Sequence, residues 1–176
     1  ATNWTSGSYT ATSSWNLTSD NSHPEGIADP PPLTNPKSWV GSTNGGDWDN
    51  PANWSGGVMP TINDDVSITG LAPNAVITIS TTGTGTGLGS HNDPYSLAHN
   101  LYSTARINVV NGGTFEVSGE SEVSTLTVSG GEVKGSGQIK VTGSFIWSGG
   151  TFSGTGALIV DTTAIASIEG SNAKFA

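Results

Sequence analysis

Apolar positions in the last third of the chain fall into columns. The segment Asn111-Gly112-Gly113-Thr114-Phe115 recurs as Ser129-Gly130-Gly131-Glu132-Val133 and again as Ser148-Gly149-Gly150-Thr151-Phe152. The spacing is 18 residues (129 − 111), then 19 (148 − 129). Aligned on it, Phe115, Val133 and Phe152 share one column, and Val123, Val141 and Val160 share a second. Val128, Ile146 and Ile165 form a third. A period this short is too small for a helix pair and too long for a hairpin register. It matches one coil of a β-solenoid, with two or three short strands per turn and Gly-rich corners. Each coil would stack ~4.8 Å above the last through parallel ladders. The charges follow the same register. Glu116 falls beside Lys134 and Glu122 beside Lys140, so opposite signs face each other on adjacent strands.

Upstream the pattern is different. Ala75-Val76-Ile77-Thr78-Ile79-Ser80 reads as a strand, and Asp64-Asp65-Val66-Ser67-Ile68 enters another. Residues 38–57 hold Trp39, Trp48 and Trp54 among Gly, Asn and Asp, which predicts a compact, turn-rich cluster. Residues 8–18 are β-prone and mostly polar. The run Pro30-Pro31-Pro32 that follows favours polyproline II and cannot sit inside a sheet. The expected organisation is an extended arm and Pro-rich linker over 1–36, a Trp-rich cap with a first strand over 37–70, and solenoid coils over 71–176.

The motif Trp39-Val40-Gly41, then Trp48-Asp49-Asn50-Pro51-Ala52-Asn53-Trp54-Ser55-Gly56-Gly57-Val58-Met59-Pro60, then Asp64-Asp65-Val66, resembles the opening of bacterial autotransporter passengers and related secreted surface proteins. The stretch Trp147-Ser148-Gly149-Gly150-Thr151-Phe152-Ser153-Gly154 is similar to the β-strand repeats of the same group. The resemblance covers about residues 38–170. It implies a right-handed parallel β-helix exposed at the cell surface. It implies no single activity, because that fold carries adhesins, stalks and polysaccharide enzymes alike.

Composition narrows the function classes. Hydrophobic residues are 33% and charged residues 11%, with 25 Gly, so helix formers are scarce. Fourteen acidic residues against five basic ones give a net charge of −9. Lys37, Arg106, Lys134, Lys140 and Lys174 are dispersed, which argues against nucleic-acid binding and against a polybasic membrane anchor. No apolar run approaches the ~20 residues of a membrane span, so no membrane insertion is expected. There is no Cys, which rules out disulfides and thiolate chemistry and suits an extracellular protein. The start at Ala1, without Met or a leader, fits a mature secreted product or a fragment.

Candidate chemistry is sparse. The three Trp can plug the open end of a solenoid or form a stacking platform for glycans. Asp47, Asp49, Asp64 and Asp65 are candidate Ca²⁺ ligands, although Asx turns account for them equally well and no EF-hand spacing occurs. His91, Asp93, Tyr95 and His99, with His23 as a remote partner, are candidate ligands of a transition metal or parts of a polar loop. Among Glu116, Glu120, Glu122 and Glu132, two would have to face one cleft for glycosidase work, and the register instead sets Glu116 and Glu122 beside Lys. No Gly-x-Ser-x-Gly elbow occurs. Sequons stand at Asn3, Asn16 and Asn53.

The expectation is therefore a non-catalytic extracellular structural protein without a cofactor, a β-solenoid subunit of a filament, sheath or surface stalk. Its partners would be copies of itself or other surface proteins. The arm, with Tyr9, Trp15 and Leu17, would pair with a neighbour by strand addition. The alternative is a secreted adhesin or a polysaccharide-binding or polysaccharide-cleaving β-helix.

Overall fold

A computed structural model describes residues 16–18, 35–81, 96–169 and 173–175. Strand β1 is Asn16–Thr18, β2 is Pro36–Ser38 and β3 is Gly45–Asp47. Two single 3₁₀ turns follow, Pro51–Asn53 and Ser55–Gly57. Then come β4 (Asp65–Ile68), β5 (Val76–Ile79), β6 (Ser96–Ala98), β7 (Asn100–Val109) and β8 (Thr114–Val117). The long strands β9 (Glu120–Gly135) and β10 (Gln138–Gly154) precede β11 (Ala157–Val160), β12 (Ile165–Ile168) and β13 (Ala173–Phe175). Among the described residues every pairing between strands is parallel, and the 13 strands wind into a β-solenoid.

The coil has three faces. On the first, the order is β2, β4, the start of β7, the starts of β9 and β10, β11 and finally β1. The second stacks β3, β5, the end of β7, the middles of β9 and β10, and β12. The third stacks β6, β8, the ends of β9 and β10, and β13. Residues 100–169 form regular coils, and β2 to β6 belong to coils with wider spacing between their strands.

The inward positions alternate along β5, β7, β8 and β11 and over most of β9 and β10, as a closed coil with one dry side requires. Two predicted columns are present in register. Phe115 pairs with Val133 and Val133 with Phe152, and all three are buried. Val123, Val141 and Val160 likewise align and are buried. The third column is corrected. Val128 pairs with Trp147, and Trp147 with Ile168, while Ile146 faces Thr127 and Ile165 faces Ser144. The reason is one extra residue in β10. Val141 pairs with Val123, but the next pair is Ser144 with Thr125, so Thr142 and Gly143 oppose Ser124 alone. This β-bulge moves the pairs from Ser144 to Trp147 by one, and a slip of one residue turns a side chain to the other face. Ile165, expected inside, is 72% exposed.

The Gly-Gly repeat has a steric cause. A Cβ on Gly150 would collide with the carbonyl oxygen of Gly131, a Cβ on Gly131 with that of Gly113, and a Cβ on Gly113 with that of Ile79. Backbone passes directly over backbone at this corner, so the second Gly of each repeat leaves no room for a side chain.

The N-terminal end is plugged by tryptophans. Trp39, Trp48 and Trp54 are buried, and their rings meet edge to face, Trp39–Trp54 at 5.2 Å and Trp48–Trp54 at 4.7 Å between centroids. Trp54 Nε1 donates to the Trp48 carbonyl at 2.7 Å, and Trp39 Nε1 to the Ser42 carbonyl at 3.1 Å. The Pro51–Asn53 turn starts with Pro at its first position and an Asn50 cap whose Oδ1 accepts from the Ala52 N–H at 3.0 Å. This local chemistry folds the chain back so that Trp39 and Trp54 form an isolated antiparallel bridge.

Candidate assembly edge

The C-terminal end of the solenoid is built differently. Strand β11 receives β1 as one further rung, in the register Asn16–Ala157, Leu17–Leu158 and Thr18–Ile159. Leu17 thus takes the register position that continues a column of Leu101, Ser121, Ile139 and Leu158, all buried. Asn16 continues the alternate column of Asn100, Glu120, Gln138 and Ala157, which alternates away from the core. Tyr9 and Trp15, the other arm positions singled out from the sequence, lie outside the described residues.

The two remaining faces end without such a rung. Among the described residues β12 and β13 each pair only with β10. Their outer edges therefore carry backbone groups that no described strand takes up, and such an edge is a template for another strand. The connection from Val160 to β12 is a tight turn. The Asp161 carboxylate accepts from the Thr163 N–H at 2.9 Å and from its hydroxyl at 2.8 Å. Those bonds, with Lys140 Nζ at 3.7 Å, hold the Asp161 carboxyl below its ordinary range.

The charged residues of the coils are used between neighbouring rungs. Lys134 Nζ lies 3.3 Å from Glu116 Oε2, in the expected register pair. Lys140 pairs in register with Glu122, while its ammonium reaches Asp161 one coil further on. Ser153 Oγ donates to Glu132 Oε1 at 2.5 Å. Glu116 and Glu132 are thus engaged along the ladder between neighbouring coils.

The four aspartates suggested for Ca²⁺ occupy different settings. Asp64 Oδ2 accepts from the Thr61 N–H and hydroxyl, which closes the turn before β4. Asp65 is 2% exposed and lies against His99 and Asn100, with His99 Nδ1 at 3.0 Å and Asn100 Nδ2 at 2.8 Å from its Oδ1. Asp49 Oδ1 accepts from Ser96 Oγ at 2.9 Å beneath the tryptophan plug. Burial pushes the Asp49 carboxyl above its ordinary value, and the Asp47 carboxylate adds to the rise, against a lowering by the Ser96 hydroxyl. Among the described residues, no three His, Asp or Glu side chains converge as a metal site would need. His23, His91, Asp93 and Tyr95 lie outside the described residues, and so does Asn3 of the first sequon. Asn53 of the third sequon spends its Nδ2 on the Asp47 carbonyl at 2.9 Å.

Sequence reasoning missed the Asp65–His99–Asn100 and Asp49–Ser96 contacts. Both tie residues of irregular coils that lie far outside the 18–19-residue spacing. The signal that could have found the first is strand alternation: Asp65 and Asn100 each begin a strand of matching parity, and the His99 N–H donates to the Asp64 carbonyl at 2.8 Å. Comparisons with protein-family models, with curated proteins and with solved structures find no match for this chain.

Proposed function

We propose that this chain is a non-catalytic structural protein working outside the cell, a building block of a filament, sheath or surface stalk that joins copies of itself. One observation carries the reading: the N-terminal strand is laid as an extra rung on the C-terminal coil. A solenoid whose C-terminal coil takes up a strand from the far end of the chain has an edge suited to polymer growth. Three further features support it. Lys134 and Glu116, Lys140 and Asp161, and Ser153 and Glu132 pair from coil to coil. The chain is acidic and has no Cys. The Trp motif and the Gly-Gly repeats resemble those of secreted surface β-helices.

The test is an electron micrograph of the purified full chain with no ligand, paired with a glycan titration read by tryptophan fluorescence. Polymers without a glycan response are expected. Single particles together with a saturable fluorescence shift would establish the glycan-binding alternative instead.

A further inference from the structure

We infer that the rung over β11 is exchangeable between copies, so that residues 16–18 of one chain seat on β11 of a second copy in the same register. The inference rests on the assembly reading above and names its partner, its strand and its pairing.

The pairing is short and separable. Three residue pairs join β1 to β11, and no other described strand pairs with β1. Nothing in the backbone pattern of that rung depends on which copy supplies it, because the same N–H and C=O groups meet in either case. What differs is the path of the chain. On the first face, β1 and β2 stand at opposite ends, with β4, β7, β9, β10 and β11 between them. Six spacings of ~4.8 Å make that separation roughly 29 Å. Residues 19–35 link the two strands, and a stretch of that length reaches at most ~60 Å when extended. The link is thus long enough to return along its own solenoid. It is equally long enough to leave it for a copy placed end to end, where the distance to be covered is smaller.

The ends select a second copy as the partner. Trp39, Trp48 and Trp54 are buried at the N-terminal end, and among the described strands β2 pairs only with β4 and β3 only with β5. An arm seated on the β11 of a second copy would lie between that strand and its own β2. Each copy carries one arm and one β11 edge, which gives a head-to-tail contact. Such a heterologous contact runs on as an open filament unless the rotation closes it into a ring. Seated on its own β11, the arm occupies the slot that the next copy would fill, and exchange between the two settings is a form of domain swapping.

Cysteine pairs test the register directly, because the chain has no Cys of its own. Asn16 and Ala157 are register partners. Neighbouring parallel strands lie ~4.8 Å apart, within the Cα separation a disulfide accepts. Full-length Asn16→Cys and Ala157→Cys chains are mixed, oxidised and run on a denaturing gel without reductant. A covalent dimer is expected from the mixture, and a ladder of multimers from the double variant Asn16→Cys/Ala157→Cys. A double variant that closes only on itself, with no dimer in the mixture, overturns the inference, and so does the absence of both cross-links. Leu17→Asp provides a second reading. It should lower particle size sharply while the far-ultraviolet spectrum of the coils is kept, and unchanged particle size would also overturn the proposal. Polymers in micrographs with no inter-copy cross-link would leave the structural role standing and remove this mechanism. Cross-linked copies that form only closed rings or pairs would do the reverse.

Discussion

The indole of Trp48 meets the ring of Phe115 edge to face, with centroids 5.4 Å apart. Phe115 is a member of the repeating column that runs through Val133 to Phe152. The plug and the coils therefore share one hydrophobic core, which extends from the cap through β11. Replacing Trp48 by Ala should remove this contact and the one to Trp54 together, at a cost of about 3–5 kcal/mol, the range for a large aromatic lost from a core. Denaturant unfolding should then show a lower midpoint. A midpoint shift as small as that of a surface substitution would mean that the plug is separable from the coils.

Two neighbouring glycines should behave differently. A Cβ at Gly131 meets the Gly113 carbonyl oxygen and the Val109 side chain, whereas a Cβ at Gly130 sits at an ordinary 3.6 Å from the Asn111 nitrogen. Gly131→Ala should destabilise by more than ~1 kcal/mol and Gly130→Ala by much less, as overpacked and tolerated sites do. Thermal melts of the two variants measured side by side provide the comparison.

The Asp49 carboxyl offers a pH signature. Its value is raised in the folded state, first by burial, then by Asp47, so folding favours its protonated form. That contribution is fully present below the unfolded carboxyl value and is lost as pH rises through the folded one. Asp49→Asn keeps an oxygen for the Ser96 hydroxyl and removes the titration. The variant should match the parent near pH 3 and gain relative stability as pH rises to 7. Melting temperatures of both proteins over that span would check it, and a difference that does not change with pH would exclude Asp49 as the source.

The pair of Lys134 and Glu116 is half-exposed, so its contribution should be modest. A double-mutant cycle with Ala at both positions should give a coupling of about 0.2–1 kcal/mol that shrinks in added salt. Glu116→Lys sets like charges on adjacent rungs and should cost more than Glu116→Ala.

How far the fold could be read from the chain follows from the same physics. The columns at Phe115 and Val123 were legible because each repeats on one spacing and each buries an apolar side chain. The column through Val128 was not, because the bulge at Thr142 and Gly143 shifts the register in the middle of β10 without any change in composition. Coils before residue 100 lack the spacing altogether, so the repeat gave no register for Asp65 and His99, and only strand alternation could have brought them together. The plug was legible from three tryptophans in a turn-rich segment, since so much indole surface must be buried somewhere. The rung of β1 was legible as a β-prone arm suited to strand addition on a neighbour, whereas the structure lays it on β11 of its own chain. Its partner is set by topology, which no local pattern in residues 8–18 records.

The placement of β1 also imposes an order of events. Coils of a solenoid touch only their neighbours, so β9 can close on β7, and β10 on β9, as soon as each has been synthesised. The pair of Leu17 and Leu158 cannot form on that schedule. Its strand emerges long before its partner exists, and pairings between such distant segments are the slow ones. During synthesis, residues 16–18 have no β11 of their own chain to pair with until residues 157–160 have been made. The rung of β1 is thus the last on its face to close, and the delay before it closes is set by how long the intervening residues take to arrive.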